Sequence, residues 1–256
     1  MADIVSLIPY NLDIRQLAAL MAGCICFGIS KTGLNGISII AVPLFALVFG
    51  AKESTGLVLP LICFADLFAV IYYRRHAEWN YIWPLIPWAL AGFALALGAD
   101  HFIHTNRGFK ILIGICVIAG LIVMVWNELR NREGAKLSGG LGIAAFFGIM
   151  GGFSTMIGNA AGPIMSVFLL SVRLPKESFV GTAAWFFLIV NYLKIPLQTL
   201  VWHNISLRTL WFDLYMVPFI LLGMGLGILF VKGVNNNQYR IITCALTFVS
   251  AVLLFL

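Results

Sequence analysis

The sequence predicts an all-α polytopic membrane protein built as an inverted structural repeat. Each half is expected to hold a broken-helix or re-entrant hairpin followed by three transmembrane helices. Three observations carry this expectation. First, 61% of the 256 residues are hydrophobic and 10% are charged, with a mean hydropathy of +1.00. A soluble domain is about 25% charged, so too few polar groups exist here to clothe a water-facing surface. Second, long apolar runs follow one another along the chain. Third, two glycine-rich polar knots interrupt such runs, one in each half. They are Ser30-Lys31-Thr32-Gly33-Leu34-Asn35-Gly36 and Ser154-Thr155-Met156-Ile157-Gly158-Asn159-Ala160-Ala161-Gly162-Pro163.

A bilayer core of about 30 Å needs about 20 apolar helical residues. In chain order the first half, residues 1–126, holds short pieces at 17–29 and 37–49, then spans at 55–73, 83–99 and 109–126. The first two form a hairpin over 17–49, because each covers only about 20 Å at 1.5 Å per residue. Residues 127–138 form a charged linker. The second half, residues 139–256, repeats the order with a hairpin over 140–171 (pieces 140–153 and 160–171), then spans at 178–194, 209–231 and 239–256. The whole is one membrane domain.

Local echoes support the repeat. Lys52-Glu53-Ser54 recurs as Lys176-Glu177-Ser178, each followed by a glycine, Gly56 or Gly181. Pro87 and Gly92 recur as Pro218 and Gly223. Asn106 to Ile111 resembles Asn236 to Ile241. A hairpin returns to the side it left, so each half keeps three crossings, and an odd number inserts the second half upside down.

That parity sorts the basic residues. Arg15, Lys52, Arg107, Lys110, Lys194 and Arg208 fall on one side. Arg74, Arg75, Arg130, Arg132, Lys136, Arg173, Lys176, Lys232 and Arg240 fall on the other. The richer side is assigned to the cytoplasm by the positive-inside rule, which places both termini outside. The net charge of +6 thus reflects membrane topology, not nucleic-acid binding. Tryptophans such as Trp79, Trp83, Trp88, Trp202 and Trp211 mark span ends as an aromatic belt. The N-terminal stretch begins with Asp3 and lacks the basic region of a cleaved signal peptide.

The knots carry the chemistry. Duplicated broken helices in a polytopic protein point to a substrate site near the bilayer midplane. The second helix of each pair starts at a knot, where free N–H groups and the helix dipole favour an anion. Gly33, Gly36, Gly158 and Gly162 permit close backbone approach. Asn35 and Asn159 can cap a helix or donate to a ligand, and Ser30, Thr32, Ser154 and Thr155 add hydroxyls. Pro163 suits the first helical position. Lys31 would offset an anion's charge, or else snorkel to the interface. Asp66 is the acid deep in a long apolar run, and three roles are open to it: proton or sodium coupling, partner of Lys31, or a helix–helix contact. Lys194, near Asn191 at the end of its span, reads as interfacial, and Asp213 as a boundary residue.

Other chemistry is poorly supported. Cys24, Cys26, Cys63, Cys116 and Cys244 lie in apolar segments without a CxxC or Cys/His cluster, so they read as packing residues. His101 and His104 have helical spacing but lack a third ligand beyond Asp100. No metal or cofactor site is expected. An intramembrane enzyme needs acid, base or metal groups converging at depth, and Lys31 and Asp66 alone do not supply them. An anion channel shares the same site chemistry.

With these residues in place, the chain resembles the TauE/SafE sulfite exporter family, also called TSUP transporters, over nearly its whole length. The resemblance rests on Gly28 to Gly36 with Val42-Pro43, on Gly151 to Pro163, and on Leu174-Pro175-Lys176-Glu177 with Gly181-Thr182. Many members carry a glycine-richer first knot of the form SGxGGG, where this chain has Lys31, Thr32 and Asn35. The resemblance implies a bacterial inner-membrane carrier for a small sulfur-containing anion: sulfite, thiosulfate or an organosulfonate such as sulfoacetate. A carrier for a non-sulfur anion such as a carboxylate is the alternative. The partners expected are that anion and the lipid bilayer, with a coupling proton or sodium ion and a homodimer left open.

Overall fold

The computed structural model describes residues 10, 12–100, 118 and 141–253. The sequence-predicted span 109–126, the linker 127–138, Cys116, His101 and His104 lie outside them. The described elements are α-helices with one 3₁₀ turn. They are α1 (Ile14–Thr32), the 3₁₀ turn Asn35–Ile37, α2 (Ser38–Phe49), α3 (Ala51–Tyr73), α4 (Trp79–Ile82), α5 (Leu85–Asp100), α6 (Leu141–Gly158), α7 (Gly162–Ser171), α8 (Lys176–Leu200), α9 (Leu207–Gly233) and α10 (Asn236–Leu253).

Among the described residues, six stretches are long and apolar enough to cross a membrane: Ile14–Thr32, Glu53–Tyr73, Trp79–Ala99, Leu141–Gly158, Lys176–Leu200 and Leu207–Gly233. Four of these contain spans read from the sequence. The other two, α1 and α6, were expected as half-helices of 13 or 14 residues. They run longer because the first part of each knot stays helical. Ser30 to Thr32 finish α1, and Ser154 to Gly158 finish α6. Their polar side chains find partners without unwinding the helix. The expected span 239–256 corresponds to α10, which is not among the six.

Local chemistry fixes the ends. Asp13 caps α1: its carboxylate accepts from Ile14 N at 2.7 Å, and Gln16 Oε1 accepts from Asp13 N at 3.0 Å, a capping box. Ser206 and Thr209 do the same for α9. Lys176 Nζ donates to Val231 O at 2.7 Å and also to Val234 O, closing the carbonyl end of α9. Gly50, at φ 88°, turns the chain from α2 into α3. The breaks at the knots differ. Gly33 ends α1, and Leu34 N donates back to Ile29 O at 3.0 Å. Asn159 ends α6 in the left-handed region, at φ 52°, with its N–H on Thr155 O at 3.1 Å. Gly162 takes the first position of α7 and Pro163 the second, one later than expected. The second N–H of a helix has no intrahelical partner either, so proline still costs nothing.

The most extensive helix contacts are α1 with α9, α5 with α6, and α3 with α8. The first two are backbone-close crossings. A Cβ on Gly28 would lie 2.2 Å from Ile220 O, and one on Gly223 2.1 Å from Ile25 O. A Cβ on Gly92 would lie 2.3 Å from Ile149 O, and one on Gly152 2.1 Å from Ala89 O. A further matched pair joins α3 to the turn after α8 and α8 to the turn after α3, with Gly56 against Asn204 and Gly181 against His76.

Two main apolar clusters result. One gathers Leu20, Phe27, Phe45, Leu59, Phe212 and Ile220 from α1, α2, α3 and α9. The other gathers Phe93, Phe147, Phe168, Phe179 and Phe186 from α5 to α8. Polar side chains from both knots, α3 and α8 are buried in the interior.

Candidate anion site between the knots

The two knots touch. A Cβ on Gly162 would sit 2.2 Å from Asn35 O and 2.8 Å from Ser38 Oγ, so glycine is required where α7 begins. The first turn of α7 therefore abuts the 3₁₀ turn and the start of α2. Neither α2 nor α7 has a side chain capping its N-terminus. Asn35 and Asn159 thus do not act as N-caps.

A cavity of about 20 Å³ lies at this junction. Ser30, Lys31 and Ser38 line it from the first knot and α2, Thr155, Asn159 and Gly162 from the second, and Phe27, Ile62, Phe187 and Asn191 complete it. That volume is about one water's worth. Of the residues singled out from the sequence, Ser30, Lys31, Thr155, Asn159 and Gly162 reach the cavity.

The others surround it. Thr32 Oγ1 lies 2.8 Å from Met224 O and 3.1 Å from Gly28 O. Gly33 packs against Gly227, and Gly36 against Leu246 and Ser250. Ser154 Oγ donates to Gly151 O in its own helix at 3.3 Å. A Cβ on Gly158 would make ordinary contact with Ala160 Cβ at 3.9 Å. Asn35 O accepts from Ser30 Oγ at 3.0 Å and Ser38 Oγ at 3.1 Å, while its side-chain Nδ2 is buried without a partner. Carbonyls at the broken end of the first knot accept from remote hydroxyls. Tyr73 OH donates to Thr32 O at 3.1 Å, Tyr239 OH to Gly33 O at 2.7 Å, and Ser250 Oγ to Gly36 O at 3.1 Å. This satisfies acceptors that would otherwise repel an anion.

The charges are arranged unequally. Lys31 Nζ lies 2.7 Å from Asp66 Oδ1, and Asn191 Nδ2 donates to Asp66 Oδ2 at 2.6 Å. Lys31 also stands 4.5 Å from the centroid of the Phe187 ring. Asp66 is fully buried and Lys31 nearly so. Of the roles open to Asp66, partner of Lys31 is the one the geometry displays. Lys31 therefore neither snorkels nor depends on a bound anion for its counter-charge.

Two readings are corrected. Lys194 is not interfacial but fully buried. Its ammonium donates to Thr155 O at 2.9 Å, Thr155 Oγ1 at 3.3 Å and Asn159 Oδ1. Asp213 is not a boundary residue but buried, and among the described residues neither oxygen has a hydrogen-bond partner. The cause in the first case is helix length: α8 runs six residues past Lys194, through Pro196, to Leu200. The signal was present. Asn191, Lys194 and Gln198 stand at i, i+3 and i+7, one face of a helix, and all three are buried. Gln198 Nε2 reaches Thr55 Oγ1 at 3.3 Å and Met156 O at 3.4 Å, and Asn159 Nδ2 donates to Thr55 O at 3.1 Å, so this stripe ties the second knot to α3. In this arrangement both ends of the Asn159 amide are engaged.

A search of curated proteins and a search of solved structures each found no significant match. A family description does match, over residues 17–254, and that range takes in both knots, the Lys31–Asp66 pair and the α8 stripe. The chain is a multi-pass membrane protein that belongs to the sulfite exporter TauE/SafE family, a family of transporters.

Proposed function

We propose that the chain is an alternating-access secondary transporter that binds one small sulfur-containing anion between its two knots. Sulfite, thiosulfate and organosulfonates such as sulfoacetate are the substrate class. The observation that carries this reading is the meeting of two uncapped helix starts beside a buried cavity that Lys31 lines. Helix N-termini suit an oxyanion. The cavity holds about one water, less than a three- or four-oxygen anion needs. Loading therefore requires the knots to part, which is the motion an alternating-access carrier makes.

The paired crossings support an inverted repeat. Gly28 meets the α9 backbone around Ile220 to Met224 as Gly152 meets the α5 backbone at Ala89, and Gly223 and Gly92 answer in kind. Each hairpin helix packs on the other half's helix. An inner-membrane location with both termini outside goes with this topology, and moving Lys194 into the interior widens the basic bias of the cytoplasmic side.

Radiolabelled sulfite counterflow in proteoliposomes tests the reading. Saturable exchange that a sulfonate competes for is expected, and flux without saturation or competition rejects a carrier. Lys31→Gln is expected to cut saturable uptake about tenfold or more, with size-exclusion profiles recording the folded fraction. Uptake unchanged for every sulfur anion removes Lys31 from the site.

A further inference from the structure

We infer that the site is built for one unit of negative charge, and that Lys194, not Lys31, supplies the counter-charge. The inference rests on the anion-transport reading and narrows its substrate class to singly charged oxyanions of the sulfonate or bisulfite type.

Three charged side chains face one another here: Lys31 from α1, Asp66 from α3 and Lys194 from α8. Lys31 and Asp66 are in contact at 2.7 Å and cancel. Lys194 is fully buried, and its ammonium meets only neutral oxygens, those of Thr155 and Asn159. Among the described residues no carboxylate pairs with it. Among the described residues Asp213, on α9, is buried without a hydrogen-bond partner, so it does not serve Lys194. The local sum is one positive charge. Burying an ammonium without a counter-ion is costly, and Thr155 and Asn159, which hold this one, both line the cavity. An anion in the cavity sits directly across them from Lys194. Release of Asn159 Oδ1 then lets the ammonium turn toward the anion, while the amide N–H₂ stays on Thr55 O.

The same count predicts what each variant prefers. Lys194→Gln leaves the site neutral. Asp66→Asn frees Lys31 and leaves two positive charges. The double variant returns to one.

Methanesulfonate, sulfate and dimethyl sulfone share a tetrahedral sulfur and similar size, with charges of about −1, −2 and 0 near pH 8. Calorimetric titration of the purified full chain with each is the test. The wild type is expected to bind methanesulfonate about tenfold tighter than the other two. Lys194→Gln should lose about 30-fold for methanesulfonate and little for the sulfone, while Lys194→Arg stays within about threefold. Asp66→Asn should prefer sulfate, and Asp66→Asn with Lys194→Gln should regain methanesulfonate. A wild type that prefers sulfate or the sulfone overturns the inference. So does a Lys194→Gln variant that weakens all three equally, the mark of a structural lysine, or that weakens none. If sulfite counterflow is saturable while the charge series is flat, this inference alone fails. If no sulfur anion is carried at all, the transport reading falls and takes this one with it.

Discussion

A valine at position 223 is expected to eliminate folded protein. Its Cβ would sit 2.1 Å from Ile25 O and 2.9 Å from Ile25 Cα. Both are backbone atoms of a helix, which no side-chain rotation can move aside. Overpacking a well-filled interior ordinarily costs about 1–3 kcal/mol, and here the clash must instead pry α1 from α9, so the cost is put at about 3 kcal/mol or more. Gly152→Val should do the same to the α5–α6 crossing, where its Cβ would meet Ala89 O at 2.1 Å. Gly225→Ala is the control, because nothing lies within 4 Å of a Cβ there. Fluorescence-detected size exclusion in detergent reads the outcome. A monodisperse peak of wild-type height for Gly223→Val would contradict the crossing.

Asp66→Asn is the second large effect. It keeps the shape of the side chain but removes the carboxylate that contacts Lys31, leaving a nearly buried ammonium unpaired. Breaking a buried pair from one side costs about 3–5 kcal/mol. The melting temperature in buffer free of small oxyanions should fall sharply. Adding Lys31→Met to the same chain should recover most of the loss, since the stranded charge is then gone. A single variant as stable as the wild type would mean that the pair contributes nothing. In vesicles the same variant tests coupling: transport that keeps its full response to a proton or sodium gradient removes Asp66 from that role.

Much of this arrangement was legible in the residue order. The knots announced themselves because glycine, serine, threonine and asparagine cluster in otherwise apolar stretches. Asp66 stood out because an acid deep in a span must have a partner. The glycine-and-proline echoes Pro87/Gly92 and Pro218/Gly223 fell on the helices that make the two close crossings. What sequence could not supply was depth. Lys194 was placed at a membrane boundary because the apolar run falters there, yet α8 continues to Leu200 through Gln198 and Pro196. A polar stripe facing an interior and a polar helix end look alike until the neighbouring helices are known. The same ambiguity shortened α1 and α6, whose last turns are polar in composition and helical in fact. It also left unseen which knot residues point at the cavity, because that depends on α9 and α10 drawing Thr32 and Gly36 away from it.

The two glycine crossings also bear on what can move. Each one seats a helix from before residue 100 on a helix from after residue 141 so tightly that the pair must travel as a single strut. On the alternating-access reading we propose, the units that swing are mixed bodies, α1 carried by α9 and α5 carried by α6, and not the two sequence halves. Severing the chain between these limits would leave its fragments clasped through both struts, so co-expressed pieces should find each other in the bilayer.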